Sequence, residues 1–361
     1  MSDRERQRLD FLKTAGLADA VRTPLAGDAS TRRYERLTLP SGTTLMLMDQ
    51  PSAAESHPCD PSWTPDQRRA SGWNAVARLS AGRIEAFAAV AEHLRSVGLS
   101  APEIVAADAA AGLAVLEDFG DDLFASTIEG GEPEEPLYLA AVEALARLHQ
   151  APPPETLSGA AGDWPLLTYD AIALKGGADL FVEWMPKLEP RLRFSDHAVA
   201  EWDEAWAGLV QHAERTATVM AHRDFHAENL IWLPDREGVG RVGMIDFQDA
   251  VRAHPSWDLH SLLQDARRDV PAALEARALD RYFVLRPQAD RDAFMRDYAG
   301  LAALNQSRIL GVFARLIVRD GKPRYRAFMP RMWRHLETNL PRADQQILEW
   351  FETYVPRSLR E

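Results

Sequence analysis

The segment His222-Arg223-Asp224-Phe225-His226-Ala227-Glu228-Asn229 packs two imidazoles, two carboxylates, a guanidinium and an amide into eight residues. Asp224 and Asn229 stand five positions apart, and a further carboxylate, Asp246, ends the apolar run Val242-Gly243-Met244-Ile245 just ahead of Phe247. A carboxylate in one loop, then an amide and another carboxylate near a strand end, suit phosphoryl transfer. Asp224 can accept the proton of a substrate hydroxyl. Asn229 and Asp246 offer hard oxygen ligands to Mg²⁺, which bridges nucleotide phosphates and neutralises charge that the protein need not supply. His222 suits orienting the loop rather than acting as base. Asp and Asn are also ordinary turn and cap residues, so the weight lies in the combination of H-x-D-x-x-x-x-N with Ile-Asp-Phe at the next strand end.

Such loops need a rigid frame. The apolar runs Thr218 to Ala221 and Leu230 to Leu233 bracket the polar segment as buried strands. Upstream, residues 3 to 15 read as a helix stopped by Gly16. Tyr34 to Leu39 and Thr44 to Met48 form a hairpin about Pro40-Ser41-Gly42. Residues 50 to 72 carry Pro51, Pro58, Pro61 and Pro65 with little periodicity, as in a long loop or flap. Arg83 to Val97 is amphipathic, with Ile84, Phe87, Ala88, Ala91 and Leu94 on one face and Gly98 as a stop. Ile104 to Ala107 and Leu113 to Leu116 complete a small sheet with one helix. Beyond residue 120 the composition turns helical, so an α+β lobe (1–116), a hinge (117–120) and a larger, mainly helical lobe (121–361) are expected.

Composition bounds the partners. At roughly 100–200 residues per domain, 361 residues suggest about two domains. A formal charge of −13 and a pI near 5.3 argue against nucleic acid or an anionic membrane as partner. The locally basic stretch Arg324 to His335 reads as a solvated helix face. With Cys59 as the one cysteine there is no intramolecular disulfide and no cysteine-cluster zinc site. A charged N-terminus without an apolar core, and apolar runs short of the ~20 residues that span a bilayer, lead us to expect a soluble cytoplasmic protein.

The eight-residue segment with Ile245-Asp246-Phe247 resembles the catalytic loop and metal-binding motif of aminoglycoside phosphotransferase-like kinases. Those are relatives of protein kinases with the same two-lobe layout. Leu116-Glu117-Asp118-Phe119-Gly120 resembles their interlobe hinge, whose backbone contacts adenine, and the likeness extends over roughly residues 20 to 320. The resemblance implies ATP and Mg²⁺, with Asp224 as base, Asn229 and Asp246 as metal ligands, and Glu117 and Phe119 at the nucleotide. A narrower likeness joins Ile245 to Arg268, Gly27 to Tyr34 and Leu47 to Pro51. These stretches are similar to the bacterial anomeric kinases of N-acetylmuramate and N-acetylglucosamine, which make the sugar 1-phosphate in cell-wall recycling.

One departure has chemical consequences. The wider family carries a lysine on its third strand to hold nucleotide phosphates, and Thr44-Leu45-Met46-Leu47-Met48 has none. Either Arg32 or Arg33 takes over, or the backbone of the loop holding Gly27, Ser30 and Thr31 suffices with the metal. On the acceptor side, His226, Glu228 and Gln248 flank catalytic positions and suit sugar hydroxyls. Arg252 and Arg308 suit a carboxylate. Asp258 reads as an N-terminal helix cap. Two other readings stay open: a kinase of another small alcohol of the aminoglycoside, choline or homoserine type, and a nucleotide-binding pseudokinase scaffold.

Overall fold

The computed structural model describes residues 2–25, 32–51, 58–80 and 82–360. The chain divides into two compact units, Met1–Leu167 with Ala227–Ala250, and Thr168–His226 with Val251–Glu361. The hinge stretch 117–120 thus falls inside the first unit rather than at its border. Helix α5 (Glu134–Gln150) packs on β10 (Val242–Met244), which draws these segments together.

The first unit is built on a five-stranded antiparallel sheet in the order β1-β2-β3-β5-β4. Its strands are β1 (Val21–Pro24), β2 (Arg33–Thr38), β3 (Thr44–Asp49), β4 (Ile104–Asp108) and β5 (Leu113–Glu117). The hairpin expected from sequence is β2–β3, with Tyr34 opposite Met48 and Thr38 opposite Thr44. Alternation puts Leu37 and Leu47 on the face that receives Leu12 of α1 (Asp3–Thr14), beside Leu113 and Val115. Above that apolar patch an ionic lattice fixes the helix: Arg8 pairs with Glu35, Arg4 with Asp49, and Arg22 with both Glu5 and Glu35. Both acceptors Glu35 and Asp49 are buried, and each meets two arginines, Glu35 with Arg8 and Arg22 and Asp49 with Arg4 and Arg8, so neither buried charge depends on one partner.

Within 50–72 the proline-rich stretch is not wholly loop. Pro65 is the first residue of α2 (Pro65–Ser71), started by a Thr64–Gln67 capping box, and a π-helical turn follows at Asn74–Arg78. Proline is favoured at that first position, where its missing N–H is unneeded, so it marks a helix start here. Helix α3 (Ile84–Ser96) buries the anticipated stripe and stacks Phe87 on Phe247, ring centroids 4.7 Å apart. Helix α4 (Phe124–Glu129) and the short pair β6 (Thr156–Leu157) and β7 (Trp164–Pro165) complete the segment before the second unit.

The second unit is mainly helical: α6 (Ala171–Ala178), α7 (Leu180–Leu188), α8 (Asp196–Arg215), α9 (Trp257–Leu263), α10 (Ala272–Leu285), α11 (Arg291–Val318), α12 (Met329–Asn339) and α13 (Gln345–Tyr354). Helix α11 is long and apolar enough to cross a membrane by length and composition, yet most of its apolar stretch is buried, with α7 and α12 packed on it. An aromatic core of Phe181, Trp202, Trp333, Trp350 and Phe351 sits among α7, α8, α12 and α13.

The two apolar runs flanking the polar segment are strands, but not partners of each other. Strand β8 (Val219–Ala221) pairs with β11 (Val251–Ala253) in the second unit, and β9 (Leu230–Trp232) pairs with β10 in the first. The polar segment therefore links two separate hairpin-like ladders.

Candidate active site

In the second unit, Asp224 follows β8 and is half-buried. Its loop is set by a residue 34 positions later in the chain. Asp258, fully buried at the start of α9, accepts from the backbone N–H of His222 at 2.6 Å (Oδ2) and of Arg223 at 2.8 Å (Oδ1). The cap expected of Asp258 is not made, because its two oxygens are turned to the loop and α9 has no side-chain cap bond. Burial pushes the Asp258 carboxyl up to about 7, against the two backbone N–H donors that lower it, and Asp224 adds repulsion. Arg223 adopts φ +81°, a left-handed conformation that costs a non-glycine residue about 1–3 kcal/mol. Its carbonyl accepts from Trp257 Nε1 at 3.3 Å, and its guanidinium lies 4.7 Å from the Tyr169 ring centroid. These contacts hold the strained turn.

In the first unit, Asn229 precedes β9, and its carbonyl accepts from Ile245 N at 3.1 Å, tying it to the end of β10. Asp246 comes next and is also left-handed, at φ +60°. Its Oδ1 receives Arg32 Nη2 and, at 3.1 Å, Gln248 Nε2, while Arg32 Nη1 reaches Gln248 Oε1 at 2.8 Å. Desolvation alone would lower the Arg32 pKa. The fields of Tyr34, Asp246 and Asp249 outweigh it and leave a net rise. Asp249 in turn is gripped by Arg78 at 2.6 Å and Ser80 at 2.7 Å.

The two candidate arginines differ in their surroundings. Arg32 lies against Asp246, whereas Arg33 is exposed at the start of β2 in the groove with Glu5, Arg8 and Arg22. Gly27, Ser30 and Thr31 lie outside the described residues. Glu117 ends β5 and pairs with Arg236. Phe119 packs over Gly243, where an added Cβ would come within 2.9 Å of its ring, and Arg236 covers the ring at 4.8 Å. Gly120, at φ +80°, supplies the left-handed turn that follows.

Of the acceptor residues anticipated, Glu228 is exposed and His226 half-buried, with Nε2 3.3 Å from Arg267 Nη1. Gln248 is only 2% exposed, and both ends of its amide serve Arg32 and Asp246, a different occupation from sugar recognition. Arg252 lies in β11 with its carbonyl accepting from Tyr169 N at 2.8 Å. Arg308 of α11 donates Nε to Asn305 at 2.9 Å, and its stem fills the space left by Gly177. Asp258 and Arg267 carry more of the local structure than the sequence suggested. For Asp258 the available signal was a carboxylate twelve residues past Asp246 in a Trp-Asp-Leu start.

Among the described residues no group of three or more His, Cys, Asp or Glu converges on a metal position. An oxygen pair such as Asn229 and Asp246 fits Mg²⁺, which usually keeps waters and takes one or two protein ligands plus phosphate oxygens.

Residues 21–304 match the model of the phosphotransferase enzyme family, and the chain belongs to that family. It is a phosphotransferase with an ATP-utilising kinase fold. It is 53% identical over 362 residues, 99% of each chain, to the N-acetylmuramate/N-acetylglucosamine kinase of Caulobacter vibrioides. With the enzyme of that name from Pseudomonas putida it shares 28% identity, over 90% of this chain and 84% of that one. Among solved structures, the amicoumacin kinase hAmiN in complex with AMP-PNP, Ca²⁺ and Ami has a TM-score of 0.59 at 16% identity, covering 96% and 99% of the two chains. An ADP-bound aminoglycoside phosphotransferase, APH(2'')-Ib, has 0.52 at 12%, with 96% and 99% covered. At such identities the likeness is one of fold.

Proposed function

We propose that this enzyme transfers the γ-phosphoryl group of ATP to the anomeric hydroxyl of N-acetylmuramate and N-acetylglucosamine, giving the sugar 1-phosphate and ADP. The observation that carries the reading is the 53% identity over 99% of both chains to a kinase named for these two sugars. Asp224 takes the proton of the attacking hydroxyl. Asn229 and Asp246 would hold Mg²⁺, which supplies charge neutralisation at the phosphates when bound. Arg32 supplies the fixed cation that the third strand lacks, and the backbone at Glu117 and Phe119 meets the adenine. With the product feeding reuse of cell-wall sugars, the enzyme works in the cytoplasm, where ATP is.

An anomeric hydroxyl is more acidic than an ordinary alcohol because the ring oxygen withdraws electron density. A plain carboxylate base such as Asp224 then assists its deprotonation as transfer proceeds. The 1-O-methyl glycoside of N-acetylglucosamine should be inert and the 6-deoxy sugar should react. Turnover of the methyl glycoside at the parent rate would leave only a kinase of some other alcohol.

A further inference from the structure

Between residues 58–63, the start of α3 and β7 lies a concavity of about 330 Å³, wholly within the first unit and lined chiefly by Pro58, Pro61, Trp63, Arg83, Trp164 and Pro165. We propose that it binds the pyranose ring of the acceptor sugar, with Trp63 and Trp164 packing on the ring's C–H face. The inference rests on the function proposed above and gives it an acceptor subsite.

Each indole is fixed by the structure around it. Asp60 Oδ1 accepts from Ser62 N at 2.8 Å and Ser62 Oγ at 2.7 Å, and the Asp60 carbonyl accepts from Trp63 N at 3.1 Å. Thr64 then caps α2. Trp63 thus lies between a closed turn and a helix start, with little backbone freedom left to lose on binding. Trp164 belongs to β7, opposite Leu157 of β6. That ladder is pressed to α3, where Ala160 N donates to Glu92 Oε1 at 2.8 Å and a Cβ on Gly159 would meet Ala89 Cα at 2.7 Å. Both indoles are half-buried, and among the described residues neither stacks on another ring nor donates its Nε1–H.

The chemistry of the lining selects the ligand. Its two charged groups have internal partners, Asp60 in Ser62 and Arg83 in Glu85 at 2.7 Å. A polycation would meet a carboxylate already turned to Ser62, and a phosphate a guanidinium already paired. What remains is indole and proline surface. A pyranose offers such a surface one face of C–H groups, and its hydroxyl rim suits an indole N–H. The volume is at the small end of the ~300–1,000 Å³ of ligand pockets, enough for a single sugar ring. The concavity is also fastened to the loop that carries Asp246. Cys59 N donates to Leu79 O at 3.1 Å, and the next residue, Ser80, donates Oγ to Gln248 O at 3.1 Å and to Asp249 Oδ1 at 2.7 Å. A ring stacked there is held by the same segment that positions Asp246.

The test is steady-state kinetics of Trp63→Ala, Trp164→Ala and Trp63→Phe with each sugar, alongside melting temperatures. Each alanine variant should raise KM for N-acetylglucosamine and N-acetylmuramate alike by about tenfold, as for an apolar ring face that loses its partner. The kcat and the KM for ATP should stay within about threefold, the pattern of lost binding that ground and transition states share. Trp63→Phe keeps an aromatic face and should retain most of the affinity. Where an alanine variant fails to fold, indole emission decides: N-acetylglucosamine added in the presence of ADP should quench the parent saturably, and Trp63→Phe less. Unchanged sugar KM in a folded variant, a KM for ATP that rises as much as the sugar KM, or equal quenching in parent and Trp63→Phe overturns the inference and leaves an active enzyme's proposed function intact. A parent inactive on both sugars overturns that function, and this subsite with it.

Discussion

Replacing Asp258 with asparagine removes a tether while keeping its size. The parent carboxylate accepts two backbone N–H bonds, 2.6 and 2.8 Å long, from a fully buried position. Asparagine has one oxygen left for them and turns an NH₂ donor toward the other N–H. One hydrogen bond to a charged group is lost, worth about 1.5–3 kcal/mol. Arg223 sits at φ +81°, so the freed turn has strain to release by moving. If that cost falls on the arrangement of Asp224, kcat drops roughly 10- to 150-fold, at about 1.4 kcal/mol per factor of ten. Stability should move less and in a pH-dependent way. The Asp258 carboxyl is pushed up to about 7, so what protonation contributes to folding is present in full below its unfolded value near 3.8 and is lost as pH rises through 7. The asparagine variant escapes that penalty, and its stability relative to the parent should improve from pH 5 to pH 8. Kinetics at saturating substrates and thermal melts at the two pH values check both. A variant with kcat within threefold of the parent would refute the tether, and a pH-independent stability difference would refute the burial of a titrating carboxyl.

Asp224→Asn should lower kcat by about 10²–10⁴, the usual range for a lost general base, with nucleotide affinity near the parent value by calorimetry. Survival of most of the rate would reduce Asp224 to a positioning role. Arg32→Ala should raise KM for ATP by tenfold or so, whereas Arg33→Ala, exposed at the start of β2, should change it less than threefold. Equal effects would remove the distinction drawn from the Arg32 contacts. Acid should unfold the protein in part through His260 and His335. Burial, then the charges of His254 and Arg308, depresses His260 to about 3, and burial with Arg334 and Arg331 depresses His335 to about 4. Both contribute stability fully present above the unfolded pKa near 6.5 and lost as pH falls toward those values. Melting temperature should therefore fall from pH 6.5 to 4, and less steeply in His260→Gln. Parallel curves for parent and variant would contradict this.

The local elements were legible where periodicity or turn chemistry speaks within a few residues, as in the β2–β3 hairpin and the buried stripe of α3. The polar loops were legible as chemistry because three oxygen-bearing side chains recur at strand ends. Long-range partners were not. A carboxylate at a helix start looks the same whether it caps its own helix or, like Asp258, reaches back 35 and 36 residues to Arg223 and His222. Arg32 and Arg33 were indistinguishable because the partners that occupy Arg32, Asp246 and Gln248, lie more than 200 positions later in the chain. Pro65 read as loop punctuation, since the capping box that makes it a helix start depends on the Thr64 and Gln67 side chains meeting. Gln248 looked like a sugar ligand by its place beside Asp246. Only the fold put the Arg32 side chain, 216 positions earlier, against its amide.

The central claim is the acceptor atom, and phosphorus NMR of the product tests it most directly. With N-acetylglucosamine or N-acetylmuramate and ATP, the phosphate resonance should couple to the anomeric proton, as in a sugar 1-phosphate. A phosphate coupled instead to the two C6 protons would contradict the account.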